Sequence, residues 1–460
     1  MPVVPSQSDP QTERSLKHSL KDAAAYATMF GAGESYLSAF AIFLKATTPQ
    51  VGLLATLPGL LASFVQIVSA WLGKRSGKRQ AIILVGASVQ ALMWIPVALL
   101  PLLYPQAAVP LLIMAVIVYQ CGAHLAAPQW ASLMGDIVPE RRRGRFFALR
   151  TRIVSLVTFM SLVIAGSLLH EFDVRGSTLT GFLLLFGLAA AARWVSIYHL
   201  AKMHDPPGHV AAMDIPIGKG WLQRLRGSNF VKFSVFFAFM QFSVAIASPY
   251  FAVYMLRDLN FSYGQFMANS GASVLAQFLT LNQWGRISDV FGNRRVLSTT
   301  GLLMPLMPLL WMVSSNFWYL LLVQALSGLA WAGFTLSASN FLYDLIAREK
   351  RATYLAVHNI LASSGIFCGA LVGGYLGLVL PETLQLGGLS WAWLSPILGV
   401  FAVSAIARSV VLAVLLPKIR EARKVRPISF SKVIFRVTRV NALAGLVFDV
   451  IGKQPKPPSE

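Results

Sequence analysis

Long apolar runs follow one another along most of this chain, and they limit the folds that are open to it. A helix needs about 20 predominantly apolar residues to cross the hydrocarbon core of a bilayer. In lipid every backbone polar group must be bonded within the chain, which leaves helices and closed barrels as the spanning structures. The pattern therefore predicts an all-α membrane protein with twelve transmembrane helices. The predicted spans lie near residues 22–45, 50–72, 80–101, 108–135, 147–169, 180–201, 231–256, 262–285, 295–314, 317–343, 353–379 and 391–416.

The composition agrees with a membrane location. Hydrophobic residues make up 56% of the chain, charged residues only 12%, and the mean hydropathy is +0.62, whereas a soluble domain carries about 25% charged residues. The net charge of +21 would point to nucleic acid in a soluble protein. Here the lysines and arginines stand in short gaps between apolar runs, so we expect topology signals and contacts with anionic lipid headgroups, and no nucleic-acid partner.

The basic residues also predict the orientation. Lys74 to Arg79, Arg141 to Arg145 and Arg348 to Arg351 are basic gaps that fall on one side if the first helix begins in the cytoplasm. The alternate gaps 102–109 and 314–317 are nearly uncharged. By the positive-inside rule, both termini are cytoplasmic. We expect a multi-pass integral protein of a bacterial cytoplasmic membrane, and a monomer.

The two halves of the chain repeat each other at a shift of 215 residues. Gly77 and Arg79 recur as Gly292 and Arg294, each pair between two long apolar runs. Such a repeat predicts two pseudo-symmetric six-helix bundles. The predicted divisions are a cytoplasmic N-terminal segment (1–21), an N-terminal bundle (22–201), a cytoplasmic linker (202–230), a C-terminal bundle (231–416) and a cytoplasmic tail (417–460).

The tail after residue 417 and the two cysteines carry separate signals. Between Ile428 and Ile451, apolar residues recur at helical spacing with basic residues among them, which predicts an amphipathic helix on the inner leaflet. A thirteenth span is the alternative, but its charges would be costly in hydrocarbon. Cys121 and Cys368 lie inside apolar runs, so neither a disulfide nor a zinc site is expected. Nothing in the sequence calls for a cofactor or a bound metal.

Two loop motifs resemble those of the major facilitator superfamily, and the resemblance covers nearly the whole chain. Residues Gly285 to Arg295 match the family signature of glycine, aspartate (Asp289), glycine and basic residues. The loop that begins at Asp136 resembles the family's loop between helices 4 and 5, with an echo at a shift of 208 that pairs Asp136 with Asp344. The resemblance implies the major facilitator fold, with helices 1, 4, 7 and 10 lining a central cavity.

The resemblance also implies gating residues in these loops. In the family, an acid at the position of Asp289 braces a neighbouring helix and closes the inner gate when the cavity faces outward. Lys74 stands at that position in the first half, so the two inner latches should not be equivalent. The alternative is that these charges only set topology. The candidate gating residues are Lys74, Arg79, Asp136, Arg143, Asp289, Arg294, Asp344 and Arg351.

Glu34 and His124 are the candidates for proton coupling. Ionisable residues deep in a span are costly and are usually functional. Each lies 12 residues from the cytoplasmic end of its helix, at Asp22 and Asp136 respectively, which is about 18 Å deep at 1.5 Å per residue. Equal depth on two cavity helices makes them a plausible interacting pair. The alternatives are a structural clasp for Glu34 and a satisfied polar residue for His124.

Depth in the membrane also selects candidate substrate-binding residues. Aromatic and amide side chains near the same plane suit a neutral or amphipathic ligand, although each could simply pack between helices. Arg193 and Arg408 occupy equivalent places on helices 6 and 12, where we expect a structural role. The candidate substrate-binding residues are Glu34, Gln120, His124, Trp130, Gln241, Gln324 and Trp331.

The sequence therefore predicts a secondary active transporter of a small molecule, with the proton as coupling ion. Proton-driven efflux of a drug or metabolite is the first hypothesis, and proton-linked import of a saccharide or similar solute is the second. A membrane assembly factor or scaffold that transports nothing is the alternative from another class. An enzyme is not expected, and the chain has no G-x-x-x-x-G-K-[ST] segment of the kind an ATP-driven pump needs.

Overall fold

The structure is a computed structural model that describes residues 10–138, 143–206, 228–346, 351–381, 383–386, 389–392 and 395–421. Its helices form twelve spans, numbered α1–α12 in chain order, and a span with an internal break keeps one number. The predicted linker lies largely outside the described residues. The predicted tail helix lies outside them altogether.

The first six spans form the N-terminal bundle. Their bounds are α1 (Pro10–Ala32, a 3₁₀ turn Glu34–Tyr36 and Leu37–Phe43), α2 (Thr48–Ser76), α3 (Arg79–Leu103), α4 (Ala108–Ile137), α5 (Arg143–Val174) and α6 (Thr178–Ala201).

The last six spans form the C-terminal bundle. Their bounds are α7 (Asn229–Ala245, Tyr250–Val253 and a π-helical turn Tyr254–Asp258), α8 (Tyr263–Phe291), α9 (Asn293–Leu303 and Leu306–Leu310), α10 (Phe317–Leu345), α11 (Arg351–Val379) and α12 (Pro396–Leu415). Between α11 and α12 an antiparallel hairpin of β1 (Thr383–Leu386) and β2 (Leu389–Ala392) pairs Thr383 with Ala392. The sequence pattern did not predict this hairpin.

Among the described residues, nine helices are long and apolar enough to cross a membrane. They are α2 to α7 and α10 to α12. The other three predicted spans are more polar or are interrupted. α1 begins in a polar segment and breaks at Gly33, and α9 breaks before Pro305, where the missing N–H of proline cannot join the helical ladder.

The repeat seen in the sequence reappears as local structure. The Gln50 side chain accepts a hydrogen bond from the backbone N–H of Thr47 (2.9 Å) at the start of α2. The Gln265 side chain does the same for Ser262 (3.0 Å) at the start of α8, 215 residues later. These reciprocal caps satisfy N–H groups that have no partner within the helix. At the other ends of the two helices, Gly77 and Gly292 have φ values of 64° and 89°, which glycine adopts at least cost.

Packing differs between the two sides of the molecule. We call the side where α1 begins and α12 ends the termini side, and the opposite side the far side. One large hydrophobic cluster includes residues of both bundles, such as Phe40 and Phe182 with Tyr250 and Phe401. On the termini side each bundle has a hydrophobic cluster of its own, one around Met134 in the N-terminal bundle and one around Phe233 in the C-terminal bundle. The described residues therefore join the bundles mainly towards the far side.

Candidate functional site

A cavity of about 550 Å³ lies between the two bundles. Both halves of the chain contribute to its wall, through α1 and α2 on one side and α7 to α12 on the other. Hydroxyl, amide and aromatic side chains dominate its lining. They include Ser35, Ser38, Thr56, Ser248, Phe251, Ser270, Ser273, Gln277, Trp311, Gln324, Ser327 and Trp331.

Two of the predicted substrate-binding residues, Gln324 and Trp331, line this cavity. Both lie on α10, and the Trp331 ring makes an edge contact with the Phe334 ring at 5.9 Å. The serines on the wall were not predicted. A serine inside an apolar run is a weak signal, because it often bonds the carbonyl of its own helix instead of facing a cavity.

Glu34 is held by two side chains of α4. The hydroxyl of Tyr119 donates to one carboxylate oxygen (2.8 Å) and the amide of Gln120 donates to the other (2.9 Å). Glu34 lies in the 3₁₀ turn that breaks α1, and the next residue, Ser35, lines the cavity. The carboxylate is therefore clasped to its own bundle, one residue from the cavity wall.

His124 lies one turn along α4 from this clasp. Its Nδ1 is 3.1 Å from the backbone oxygen of Gln120, while the Gln120 side chain bonds Glu34. The two proton-coupling candidates thus share Gln120 as a common neighbour.

The remaining predicted ligands lie elsewhere. Trp130 lies in the N-terminal bundle, where the guanidinium of Arg150 stacks over its ring at 4.2 Å, beside a second cavity. Gln241 lies on α7 with a buried amide oxygen that has no hydrogen-bond partner among the described residues. Neither is among the residues that line the cavity between the bundles, and Glu34, Gln120 and His124 are not among them either.

The equivalent arginines Arg193 and Arg408 have different surroundings. In the N-terminal bundle, Arg193 donates to Gln90 (2.6 Å) and to Ser196 (2.8 Å). In the C-terminal bundle, Arg408 donates to Ser404 (3.1 Å) and to the backbone oxygen of Met304 (2.9 Å). Arg408 is only 3% exposed yet lines the cavity between the bundles. Arg408 therefore makes hydrogen bonds within its own bundle and also contributes to the wall of the cavity.

On the termini side, Arg79 holds three helix ends together. It begins α3 and forms ion pairs with Asp136 near the end of α4 (2.5 Å) and with Asp205 after α6 (2.9 Å). It also donates to Ser132 (3.2 Å) and to the backbone oxygen of Pro206 (2.7 Å). These contacts brace one bundle from within.

The second half has a related set of contacts between helix ends, in which the side-chain donor is a neutral amide. Asn293 at the start of α9 donates to Asp344 at the end of α10 (2.9 Å), and the backbone N–H of Arg294 donates to Glu421 beyond α12 (2.8 Å). A carboxylate at a helix N-terminus is favourable because it meets the positive end of the helix dipole. In the described contacts, an amide therefore donates to the acid at the end of α10, as an arginine does to the acid at the end of α4.

The other gating candidates have fewer described contacts. Lys74 is exposed near the end of α2. Arg143, Asp289 and Arg351 lie in α5, α8 and α11, and their side chains lie outside what the structure describes. Their gating roles stay predictions.

Contacts between the bundles cluster towards the far side. The Arg257 side chain donates to the hydroxyl of Thr48 (3.0 Å), which joins the end of α7 to the start of α2. The rings of Phe182 and Tyr263 meet edge to face at 5.6 Å. A side chain at Gly52 would collide with the Tyr250 hydroxyl, so α2 approaches α7 closely there. These contacts join the two bundles towards the far side.

The described residues contain no group of three or more histidine, cysteine, aspartate or glutamate side chains that could hold a metal ion. The polar residues of the cavity are instead hydroxyls, amides and one arginine, Arg408. Such a lining suits an organic solute that makes hydrogen bonds and stacks on aromatic rings.

Comparison with known proteins identifies the architecture. The model of the Major Facilitator Superfamily matches residues 23–245 and again residues 231–451. A relative, the MFS-type transporter ppz2 of Metarhizium majus (strain ARSEF 297), is 29% identical over 110 residues, 24% of this chain. The match spans only 17% of that relative's length.

Several solved structures share the fold at low sequence identity. The nucleoside transporter NupG aligns with a TM-score of 0.62 and 14% identity over 89% of this chain and 99% of its own. The D-xylose-proton symporter aligns at 0.66 and 13% over 90% and 99%. A bacterial homologue of the iron transporter ferroportin, in its inward-facing state, aligns at 0.63 and 14% over 89% and 98%. The predicted architecture of two six-helix bundles is confirmed.

Proposed function

Because the chain belongs to the major facilitator superfamily and is a transporter of some solute, we propose that it is a proton-coupled exporter of a drug or metabolite that works by alternating access. The observation that carries the proposal is the cavity of about 550 Å³ between the bundles. Its wall comes from both halves of the repeat, so a rocking motion of one bundle against the other would move the same site from one side of the membrane to the other.

The contacts on the far side support the inward-facing state of that cycle. Arg257, Thr48 and the rings of Phe182 and Tyr263 join the bundles there, while the termini side has separate hydrophobic clusters. We propose that the termini side is cytoplasmic, in a bacterial cytoplasmic membrane. The cavity would then face inward, ready to take up a solute for export.

The clasp around Glu34 supports proton coupling. An ionised carboxylate accepts hydrogen bonds at both oxygens, as Glu34 does from Tyr119 and Gln120. A protonated carboxyl group is a donor at one oxygen and a weaker acceptor there, so the bond at the protonated oxygen weakens or reverses its direction. Since Ser35 lines the cavity beside it, that rearrangement would change the cavity wall. His124 would respond through Gln120.

The alternatives predict different behaviour of the same cavity. A scaffold that transports nothing has no need of a polar cavity, and the serines, amides and tryptophans on its wall weigh against that hypothesis. A proton-linked importer would use the same cavity in the opposite direction. The direction of the proton gradient that drives accumulation separates import from export.

The experiment begins with a thermal-shift screen of the purified protein against metabolites and drugs, and the hits are tested in proteoliposomes. Glu34→Gln keeps the size of the side chain but cannot release a proton. We expect it to abolish transport driven by a pH gradient and to retain exchange of labelled for unlabelled substrate. Glu171→Gln is the matched control, because Glu171 is exposed and pairs with Arg175 one helical turn away.

Accumulation of substrate by Glu34→Gln in response to a pH gradient would overturn the coupling role of Glu34. The absence of saturable uptake or exchange of every hit by the unaltered protein would overturn the transport proposal itself.

A further inference from the structure

A second cavity, of about 240 Å³, lies within the N-terminal bundle. Its lining comes from α1, α3, α4, α5 and α6, so it is enclosed by one half of the repeat. Half of the lining residues are aliphatic, and we call this set the apolar wall: Ile83, Val154, Leu200 and three alanines of α4. The rest are polar or aromatic, and we call that set the polar wall: Asp22, Tyr26, Gln90, Trp130, Arg150 and Arg193.

The polar wall carries a net positive charge. Its two arginines are each placed over an aromatic ring, Arg150 over Trp130 at 4.2 Å and Arg193 over Tyr26 at 5.2 Å. Asp22 is the acidic residue on the described wall, and its oxygens already accept bonds from Ser196 (2.7 Å) and Arg150 (3.4 Å). Among the residues that line this cavity, two positive charges therefore face one negative charge. Glu34 also interacts with the charge of Arg193, but it lies outside the lining and its two oxygens accept from Tyr119 and Gln120.

The same wall has hydrogen-bond donors that find no acceptor. The Nε atoms of Arg150 and Arg193, the indole Nε1 of Trp130 and the amide Nε2 of Gln90 are buried and have no partner among the described residues. The Gln90 side chain is 1% exposed and Arg193 is 4% exposed. The amide of Gln90 cannot be turned round without loss, because its oxygen already accepts from Arg193 (2.6 Å).

We propose that this cavity is a binding site for a small organic carboxylate, separate from the cavity between the bundles. An anion supplies both the missing charge and the missing acceptors, and arginine is the side chain that best matches a carboxylate. The apolar wall accommodates the hydrocarbon body of the ligand. The site lies between Ile83 and Gln90 along α3, four to eleven residues from its start at Arg79, or about 6–17 Å at 1.5 Å per residue.

The test uses the full-length purified protein and benzoate, an aromatic carboxylate with a compact body. Isothermal titration calorimetry measures its binding, and benzamide serves as the uncharged ligand of nearly the same shape. We expect saturable binding of benzoate, and binding of benzamide that is weaker by about tenfold or more, because hydrogen bonds to a charged group are the stronger ones.

Two variants test the site. Gln90→Glu places a carboxylate beside Arg193, which keeps a partner for the arginine and removes the excess charge. Arg150→Gln removes the cation that stacks on Trp130. We expect each to weaken benzoate binding by about tenfold or more. Arg75→Gln is the matched control, since Arg75 also stacks on a tryptophan, Trp71 at 5.4 Å, but is exposed.

The Gln90→Glu variant keeps the proposal falsifiable if Arg150→Gln fails to fold, because it adds an ion pair and should retain the thermal stability of the unaltered protein. Benzoate binding that survives Gln90→Glu unchanged would place the ligand elsewhere and overturn the proposal. Equal affinity for benzoate and benzamide, or no saturable binding of benzoate, would also overturn it.

Discussion

Removal of the Arg79 side chain is expected to loosen the termini side of the N-terminal bundle. Arg79 is nearly fully buried, with a side chain 2% exposed, and it holds Asp136 and Asp205 at once. The substitution Arg79→Met keeps much of the length of the side chain and removes the cation. Both carboxylates then lose their buried partner. The start of α3 also loses its contacts with the ends of α4 and α6.

The exposure of the two carboxylates determines how much stability the substitution removes. Removing one partner of a fully buried ion pair costs about 3–5 kcal/mol, because a charge is left unpaired. Here the side chains of Asp136 and Asp205 are 40% and 19% exposed, so water can solvate both after the substitution. We therefore expect a loss of roughly 2–3 kcal/mol, since a hydrogen bond to a charged group is worth about 1.5–3 kcal/mol. This corresponds to a fall in Tm of roughly 4–12 °C for a bundle of this size.

The assay is thermal unfolding of the purified protein, followed by tryptophan fluorescence and by recovery of the monodisperse form after heating. Arg75→Met is the control, because Arg75 is exposed at the end of the preceding helix, and a surface substitution should change stability by about 0.5 kcal/mol or less. The double variant Arg79→Met with Asp136→Asn should lose less than the sum of the two single variants, because the residues share one contact. Equal losses in Arg79→Met and Arg75→Met would refute the bracing role.

Three further predictions concern the far side, the pH dependence of stability and the inner gate. Gly52→Val should raise the labelling of a cysteine introduced on the far side, because the added side chain collides with Tyr250 where the bundles approach closely. Gly59→Val is the control, because a Cβ atom at Gly59 would have open space around it. Equal labelling in both variants would contradict closure of the far side by this contact. Burial, and next the neighbouring His199, lower the pKa of His18, which precedes the first predicted span. The folded protein therefore binds fewer protons there than the unfolded chain does, so stability is fully present above about pH 6.5 and declines as pH falls below it. His18→Gln should flatten that decline in a Tm series from pH 8 to pH 5, and an unchanged slope would count against it. Asp289→Asn should bias the carrier towards the inward-open state and lower transport at constant expression, and unaltered labelling of far-side cysteines would remove the gating role.

The sequence by itself determined the architecture. The thickness of the bilayer requires a minimum length of apolar run, so the number and order of helices can be read along the chain without any knowledge of contacts. The repeat at a shift of 215 residues then implied two equivalent bundles, and it reappears in the capping of α2 by Gln50 and of α8 by Gln265. Depth along a helix follows from residue number, and Gln324 and Trp331, two of the candidates selected in this way, are among the residues that line the cavity; their role in binding a substrate stays a prediction.

Rotation about each helix axis was decided only by the tertiary structure. Residues at the same depth point in different directions according to how helices pack, and packing depends on side chains from several spans at once. Trp130 therefore lies beside a cavity within its own bundle, while Trp331 faces the cavity between bundles. The partners of Glu34 turned out to be Tyr119 and Gln120, because the break in α1 at Gly33 sets the direction of that carboxylate. A sequence gives the height of each side chain in the membrane, but only the packed helices give its direction.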